Sequence, residues 1–360
     1  MTPRPLDQLL QRRLEAFGDR RMTYIAAFPC REGYVCCADT LETFGHEKQY
    51  VEKLASFGDG EYPFCIGGAG VGEIIDALTQ EVSERIISQK PHGYRALAEC
   101  IKSAIRYVYE NDVPVMALKK QHQTATLLIA ANAKPLEGDF CLFQANGKRV
   151  FKIERGIIGY KTPTNHTLLK RFHDAEMPMS QAVLLAAYLV SHSKLIDEGV
   201  GGETRIGIVS QLWAKIEDIA YTQTLEAIIQ DFLPIADQVF LSFADVSLSR
   251  SQFEVKLGQL TSLLQVQRRV AVQRFLGYIQ SLVDRGSLSY DWPYAKIPLG
   301  TAFELRREPI SGRLTVFPTD ADQDQMYDRA FVPSVPQPPE DQPSPCGEER
   351  PEKESLNDGG

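Results

Sequence analysis

The feature that most limits what this chain can fold into is a change of apolar period that occurs four times before residue 210. Tyr24–Phe28 and Tyr34–Ala38 are short apolar strands joined by a tight turn at Gly33, with Thr23 at the mouth of the first and Asp39 at the exit of the second. Tyr50–Leu54 reads as a third strand, and Tyr62–Ile66 runs into the glycine-rich stretch Gly67–Gly72. From Glu73 the period lengthens: Ile74, Leu78, Val82 and Ile86 mark one helix face, and Leu97, Ile101, Ile105 and Val108 mark a second helix. Strands return at Thr126–Ala131, Phe140–Gln144, Arg149–Ile153 and Gly156–Ile158, with Asn146-Gly147 as a hairpin turn. Helices follow at Asn165–Phe172 and at Ser180–Lys194, where Ser180 reads as the N-cap, and Thr204–Val209 is a last strand.

An element order of this kind implies an α+β fold. Two antiparallel sheets face to face, each covered outside by a helical layer, satisfy it: a four-layer αββα sandwich over residues 22–210. Residues 1–21 read as a short polar helix, Leu6 to Phe17, forming an N-terminal extension or propeptide. Residues 211–318 read as a mostly helical C-terminal extension, with helices at Leu212–Phe232 and Gln252–Asp284 and a small hairpin turning at Ser311-Gly312. Residues 319–360 form an acidic, Pro-rich tail too poor in large apolar residues to fold.

Composition removes several function classes. An apolar share of 43% builds a sizeable core, and a formal charge of −8 gives no electrostatic footprint for nucleic acid. No apolar run looks long enough to span a bilayer, and the N-terminus lacks a secretory signal. The seven cysteines are odd in number and without zinc spacing, so the chain reads as a reduced cytoplasmic protein. The six histidines show no ligand spacing. Gly67–Gly72 precedes a helix, but its glycines do not fit G-x-G-x-x-G and no Lys-Ser or Lys-Thr pair follows. No cofactor and no metal are therefore expected. A peptide N–H at that helix start remains suited to polarising a carbonyl oxygen.

Five stretches in register resemble proteasome core β-subunits and the HslV-type bacterial peptidase, which are N-terminal-nucleophile hydrolases. They are Thr23–Phe28, Gly33–Thr40, Lys53-Leu54, Cys65–Gly70 and Asp197–Gly202. The resemblance implies Thr23 as nucleophile, Asp39 as the acid paired with a catalytic Lys53, Gly67 as the oxyanion N–H donor and Asp197 as a second supporting acid. It also implies a peptide or protein substrate and a homo-oligomer, beside the expectation from charge and apolar pattern of no nucleic acid and no membrane partner. A catalytically inactive structural subunit of the same fold is the alternative. The chain departs from the family pattern at Gly159-Tyr160-Lys161 and at Val200, where supporting hydroxyls are usual. A free α-amine can take the proton of its own hydroxyl, with a nearby lysine cation keeping it a competent base. Because Met22 precedes Thr23, that amine must be freed, either by self-cleavage or by translation from Met22 and removal of the methionine.

Overall fold

The computed structural model describes residues 23–44, 47–58, 62–116, 118, 124–134, 138–159 and 163–285, together with the strands at 303–307 and 314–318. The polar helix expected at Leu6–Phe17, the turn at Ser311-Gly312 and the acidic tail lie outside those residues.

Two five-stranded sheets of antiparallel neighbours form the body: the first runs in the spatial order 156–159, 24–30, 33–39, 204–209 and 214–216, and the second in the order 54–57, 64–70, 125–132, 140–146 and 149–153. In the first, β1 is Tyr24–Cys30, β2 Gly33–Asp39, β10 Gly156–Gly159, β11 Thr204–Val209 and β12 Ala214–Ile216; in the second, β5 is Leu54–Phe57, β6 Phe64–Gly70, β7 Ala125–Asn132, β8 Phe140–Asn146 and β9 Arg149–Ile153. A small ribbon, β3 (Leu41–Phe44) with β4 (Glu47–Tyr50), links them, and β13 (Phe303–Arg307) pairs with β14 (Leu314–Pro318) near the C-terminus. The chain is thus α+β with antiparallel sheets.

Three apolar clusters hold it together. Alternation along the strands sends Ile25, Ala27, Cys36 and Ala38 of one sheet against Leu54, Cys65, Leu128 and Leu142 of the other. The opposite face of β6–β8 is covered by α1 (Gly72–Gln89) and α2 (Tyr94–Tyr107), through Ile74, Leu78, Leu97 and Ile101. The opposite face of β1, β2 and β11 is covered by α4 (Met179–Ile196), flanked by α3 (Pro163–Phe172), and by a hairpin of α5 (Ile219–Ala244) and α6 (Arg250–Asp284). Tyr24, Phe28 and Ile206 meet Leu189 of α4, Leu225 of α5 and Ile279 of α6 in that one cluster. The six cysteines among the described residues are buried and unbridged, packing as small hydrophobes.

Several local expectations change. The helix expected to start at Leu212 starts at Ile219, because Ser210–Trp213 forms a turn that pairs β12 with β11 (Val209 opposite Ala214). The helix assigned to Ser180 begins at Met179 after Pro178, and its first N–H is taken by Glu32 Oε2 at 2.7 Å from the β1–β2 turn. Lys53 precedes β5 instead of lying within a strand. One helix, α5, is long and apolar enough by length and composition to cross a membrane, with a mean hydropathy of 1.3 over its most apolar window, against the expectation that no such run exists. Its N-terminal half docks into the core through Tyr221, Leu225 and Ile229.

Candidate active site

The register of the first sheet places the site. Tyr24 stands opposite Gly159 on one side, and β2 runs beside β1 so that Asp39 lies at the same sheet end as Thr23. On the far side of β2, Asp39 stands opposite Thr204 of β11. The Asp39 carboxylate is completely buried and holds three donors: Tyr24 N at 2.9 Å and Lys53 Nζ at 2.8 Å on Oδ1, and Gly201 N at 3.1 Å on Oδ2. Lys53 also donates to the Leu41 carbonyl. Its ammonium therefore reaches the sheet end from the second sheet, since the Lys53 carbonyl accepts Gly68 N of β6 at 3.2 Å.

Burial dominates the electrostatics of this pair. It raises the pKa of Asp39, opposed by the Lys53 charge and by the hydrogen bonds from Lys53, Tyr24 and Gly201. It lowers the pKa of Lys53, opposed by the Asp39 charge. Burial thus weakens the charged form of both partners, and the contact at 2.8 Å with the two backbone donors on Asp39 works against it.

Two glycines are required next to Thr23 and Asp39. Gly159 has φ +86, and a side chain there would fall on the Thr23 carbonyl. Gly202 has φ +71 and passes against Thr40, whose hydroxyl accepts Glu203 N at 2.8 Å. The loop 197–203 is thereby clamped to the exit of β2, with Thr40 N and Leu41 N both donating to the Gly201 carbonyl.

Of the residues singled out in the sequence, Thr23, Asp39 and Lys53 gather at one sheet end, Thr23 being one residue from the amide that Asp39 holds. Asp197 starts the loop whose Gly201 amide reaches Asp39; its Oδ1 takes Gly199 N at 2.9 Å, and its Oδ2 is buried without a partner. Gly67 does not join them. Gly68 N points to Lys53, and amides alternate along a strand, so the Gly67 N–H faces its β7 partner Leu128 in the ladder. Gly67 instead allows the sheets to approach: a Cβ there would stand 2.8 Å from Ile25 Cγ2 and 2.9 Å from Leu54 Cδ2. The bend that ends β6 is Gly70, at φ +129, just before α1.

The Gly201 amide, the Leu41 carbonyl and Thr204 escape sequence reading, because two of them act through backbone and the third through strand pairing. A further charged cluster lies behind the site. Glu226 of α5 accepts from the Thr204 hydroxyl and from Lys194 of α4 at 2.5 Å.

The fold and the site define an α+β protein with a buried acid–lysine pair beside a strand-leading threonine. No family model and no curated protein matches the sequence. Solved structures do. Anbu from Hyphomicrobium sp. strain MC1 matches with a TM-score of 0.50 at 19% identity, over 62% of this chain and 98% of that one. Anbu from Yersinia bercovieri, described as an ancestral β-subunit, matches with a TM-score of 0.50 at 16% identity, over 63% of this chain and all of that one. Identities this low make the likeness one of fold. They also correct the resemblance to proteasome core β-subunits and the HslV-type peptidase: the fold neighbours are Anbu proteins, proteasome-like but distinct. The five motifs mark strand ends and close-packed glycines, which follow the fold and do not discriminate among the families that share it.

Proposed function

We propose that this protein is a threonine-type N-terminal-nucleophile hydrolase that cuts peptide or amide bonds in the cytoplasm, on a four-layer αββα sandwich formed by the two sheets and their helical covers. The observation that carries the reading is the buried Asp39–Lys53 pair at 2.8 Å, anchored to the residue next to Thr23. Once the Met22–Thr23 bond is absent, the Thr23 amine accepts the hydroxyl proton and Oγ1 attacks the substrate carbonyl. The carbonyl oxygen takes the negative charge and is met by the amides at the start of α1, which no side chain caps, instead of by Gly67. The leaving amine takes the proton back, and water then cleaves the ester on Thr23. Lys53 keeps the α-amine neutral through its charge, Asp39 holds Lys53 in place, and Asp197 supports the loop that reaches Asp39.

A second reading is a catalytically inactive subunit of this fold. The specific observation favouring it is the pair of missing hydroxyls, with Tyr160 and Val200 in the places where supporting serines are usual. One experiment separates the two. Native protein is analysed by intact mass and N-terminal sequencing, then incubated with a β-lactone. A covalent adduct on an N-terminal Thr23, lost in Thr23→Ala, is the expected result. Protein with Thr23 shown to be N-terminal and no adduct overturns the enzyme.

A further inference from the structure

The α5–α6 hairpin has two unlike halves. Its base belongs to the core through Leu225, Ile229, Phe275 and Ile279. Pro234 lies inside α5, and towards the C-terminal end of the helix large apolar side chains stand exposed: Phe240 is 71% exposed, Leu241 64%, Phe243 58% and Val246, just past the helix, 97%. Phe232, Ala236, Phe240 and Phe243 recur at intervals of four and three, which puts them on one helical face. Where that face meets the body of the protein, an open apolar groove of about 650 Å³ lies between α4, α5 and α6, lined by Leu184, Tyr188, Phe232 and Leu264.

We infer that this face docks a second copy of the chain, with the aromatic tip of each hairpin seated in the groove of the other. Area is the first reason. On that face Phe232, Phe240 and Phe243, with Val246 just beyond the helix, present on the order of 500 Å², taking about 150–250 Å² for a whole aromatic side chain; tip and groove together then approach the roughly 800 Å² that a stable interface takes from each partner. Geometry is the second. The groove borders α5 from Ile228 to Ala236 and the tip begins at Phe240, so both lie on one helix, about one turn apart. A twofold axis across the hairpin then sets each tip over the other groove, the reciprocity an isologous interface requires. Charge is the third. Residues 231–257 carry Asp231, Asp237, Asp245 and Glu254 against Arg250 and Lys256, the opposite of the basic belt that lays a helix on an anionic bilayer.

The test uses the full chain with Phe243 replaced by p-benzoylphenylalanine, mixed as unlabelled and ¹⁵N-labelled protein and irradiated. Cross-links in mixed-isotope pairs, from position 243 to peptides covering 181–188, 228–236 or 264–271, are the expected result. In sedimentation equilibrium, Phe240→Asp, at a side chain 71% exposed, weakens self-association at least tenfold with circular dichroism unchanged, and pairing it with Phe243→Asp, whose ring also packs edge-on against Phe253 of α6 at 5.3 Å, weakens it further. The cross-linking arm retains the native charge and decides the matter even where the paired aspartates disturb folding. Cross-links confined to one isotope, showing that residues 1–22 or 286–360 of the same chain fill the groove, overturn the inference. So does an unchanged association constant, or a monomer that binds phosphatidylserine-containing vesicles through the tip.

Discussion

Replacing Asp39 with asparagine tests the architecture of the site most directly. The carboxylate is fully buried and takes Tyr24 N at 2.9 Å, Lys53 Nζ at 2.8 Å and Gly201 N at 3.1 Å. Asparagine has the same shape but one acceptor oxygen, so an NH₂ group must face an N–H or an ammonium. Lys53, whose side chain is 4% exposed, then lacks its counter-charge. Removing one partner of a buried ion pair costs about 3–5 kcal/mol, and leaving a buried donor without an acceptor costs about 1–3 kcal/mol. These do not add. Lys53 still donates to Leu41, and burial already lowers its pKa, so the ammonium sheds its proton before the full cost is reached. The expected loss is about 3–4 kcal/mol, or a fall of about 6–16 °C in the unfolding midpoint for a domain of this size. Thermal and urea melts followed by circular dichroism at pH 7 read it. A cycle with Lys53→Met isolates the pair: the double variant recovers about 0.5–3 kcal/mol relative to the sum of the singles. A loss below about 1 kcal/mol, the size of an ordinary substitution, together with an additive cycle, refutes the buried charged pair.

Gly159→Ala puts a methyl group on the Thr23 carbonyl at a left-handed φ, so it costs more than about 1 kcal/mol and removes the β-lactone adduct even in protein that remains folded; a stable variant that still reacts refutes the close approach. Glu226→Gln takes the charge from a cluster with Lys194 and Thr204, costs about 1–3 kcal/mol and speeds hydrogen exchange in α5 before the sheets. Acid sensitivity follows from His173, whose pKa burial lowers, and from His192, lowered in the same way. A depressed folded pKa supplies stability that is present above the unfolded value near 6.5 and lost as pH falls through the folded one. The unfolding midpoint therefore drops between pH 7 and pH 5, and His173→Asn reduces that slope while leaving the part due to His192.

The order of strands and helices along the chain was legible because period two and period 3.6 alternate up to Val209, and because strand ends with Gly33, Asn146-Gly147 and Gly159 announce themselves; the order of strands within each sheet was not. Asp39 was legible beside Thr23 at one end of the opening hairpin, and Lys53 only through the resemblance to proteasome subunits. Their contact depends on β3–β4 and Val51 carrying the chain from one sheet to the other, which no local pattern specifies. Gly67 misled for a related reason. Every glycine in Gly67–Gly72 has the composition of an oxyanion loop, yet only ladder phase decides which amides face out, and phase is set by the pairing of Gly68 with Lys53 and of Gly67 with Leu128. The cap on α4 was equally hidden, since Glu32 reaches Met179 across 147 residues. Ser180 looked like a cap only because it sat at the right place in the sequence.

The residues after Val209 resemble an appendage in sequence but pack against the strand that stands beside Asp39 in three dimensions. Thr204 begins β11 opposite Asp39 and gives its hydroxyl to Glu226 of α5, which also holds Lys194 of α4. The same two helices of the hairpin add Leu225, Ile229, Phe275 and Ile279 to the cluster that contains Tyr24 and Ile206. Deleting the hairpin would thus expose the back of the strands that carry Thr23 and Asp39, and would leave Lys194 without its carboxylate. The extension closes the core that β1 opens, so the site depends on it even though it contributes no group to the proposed chemistry.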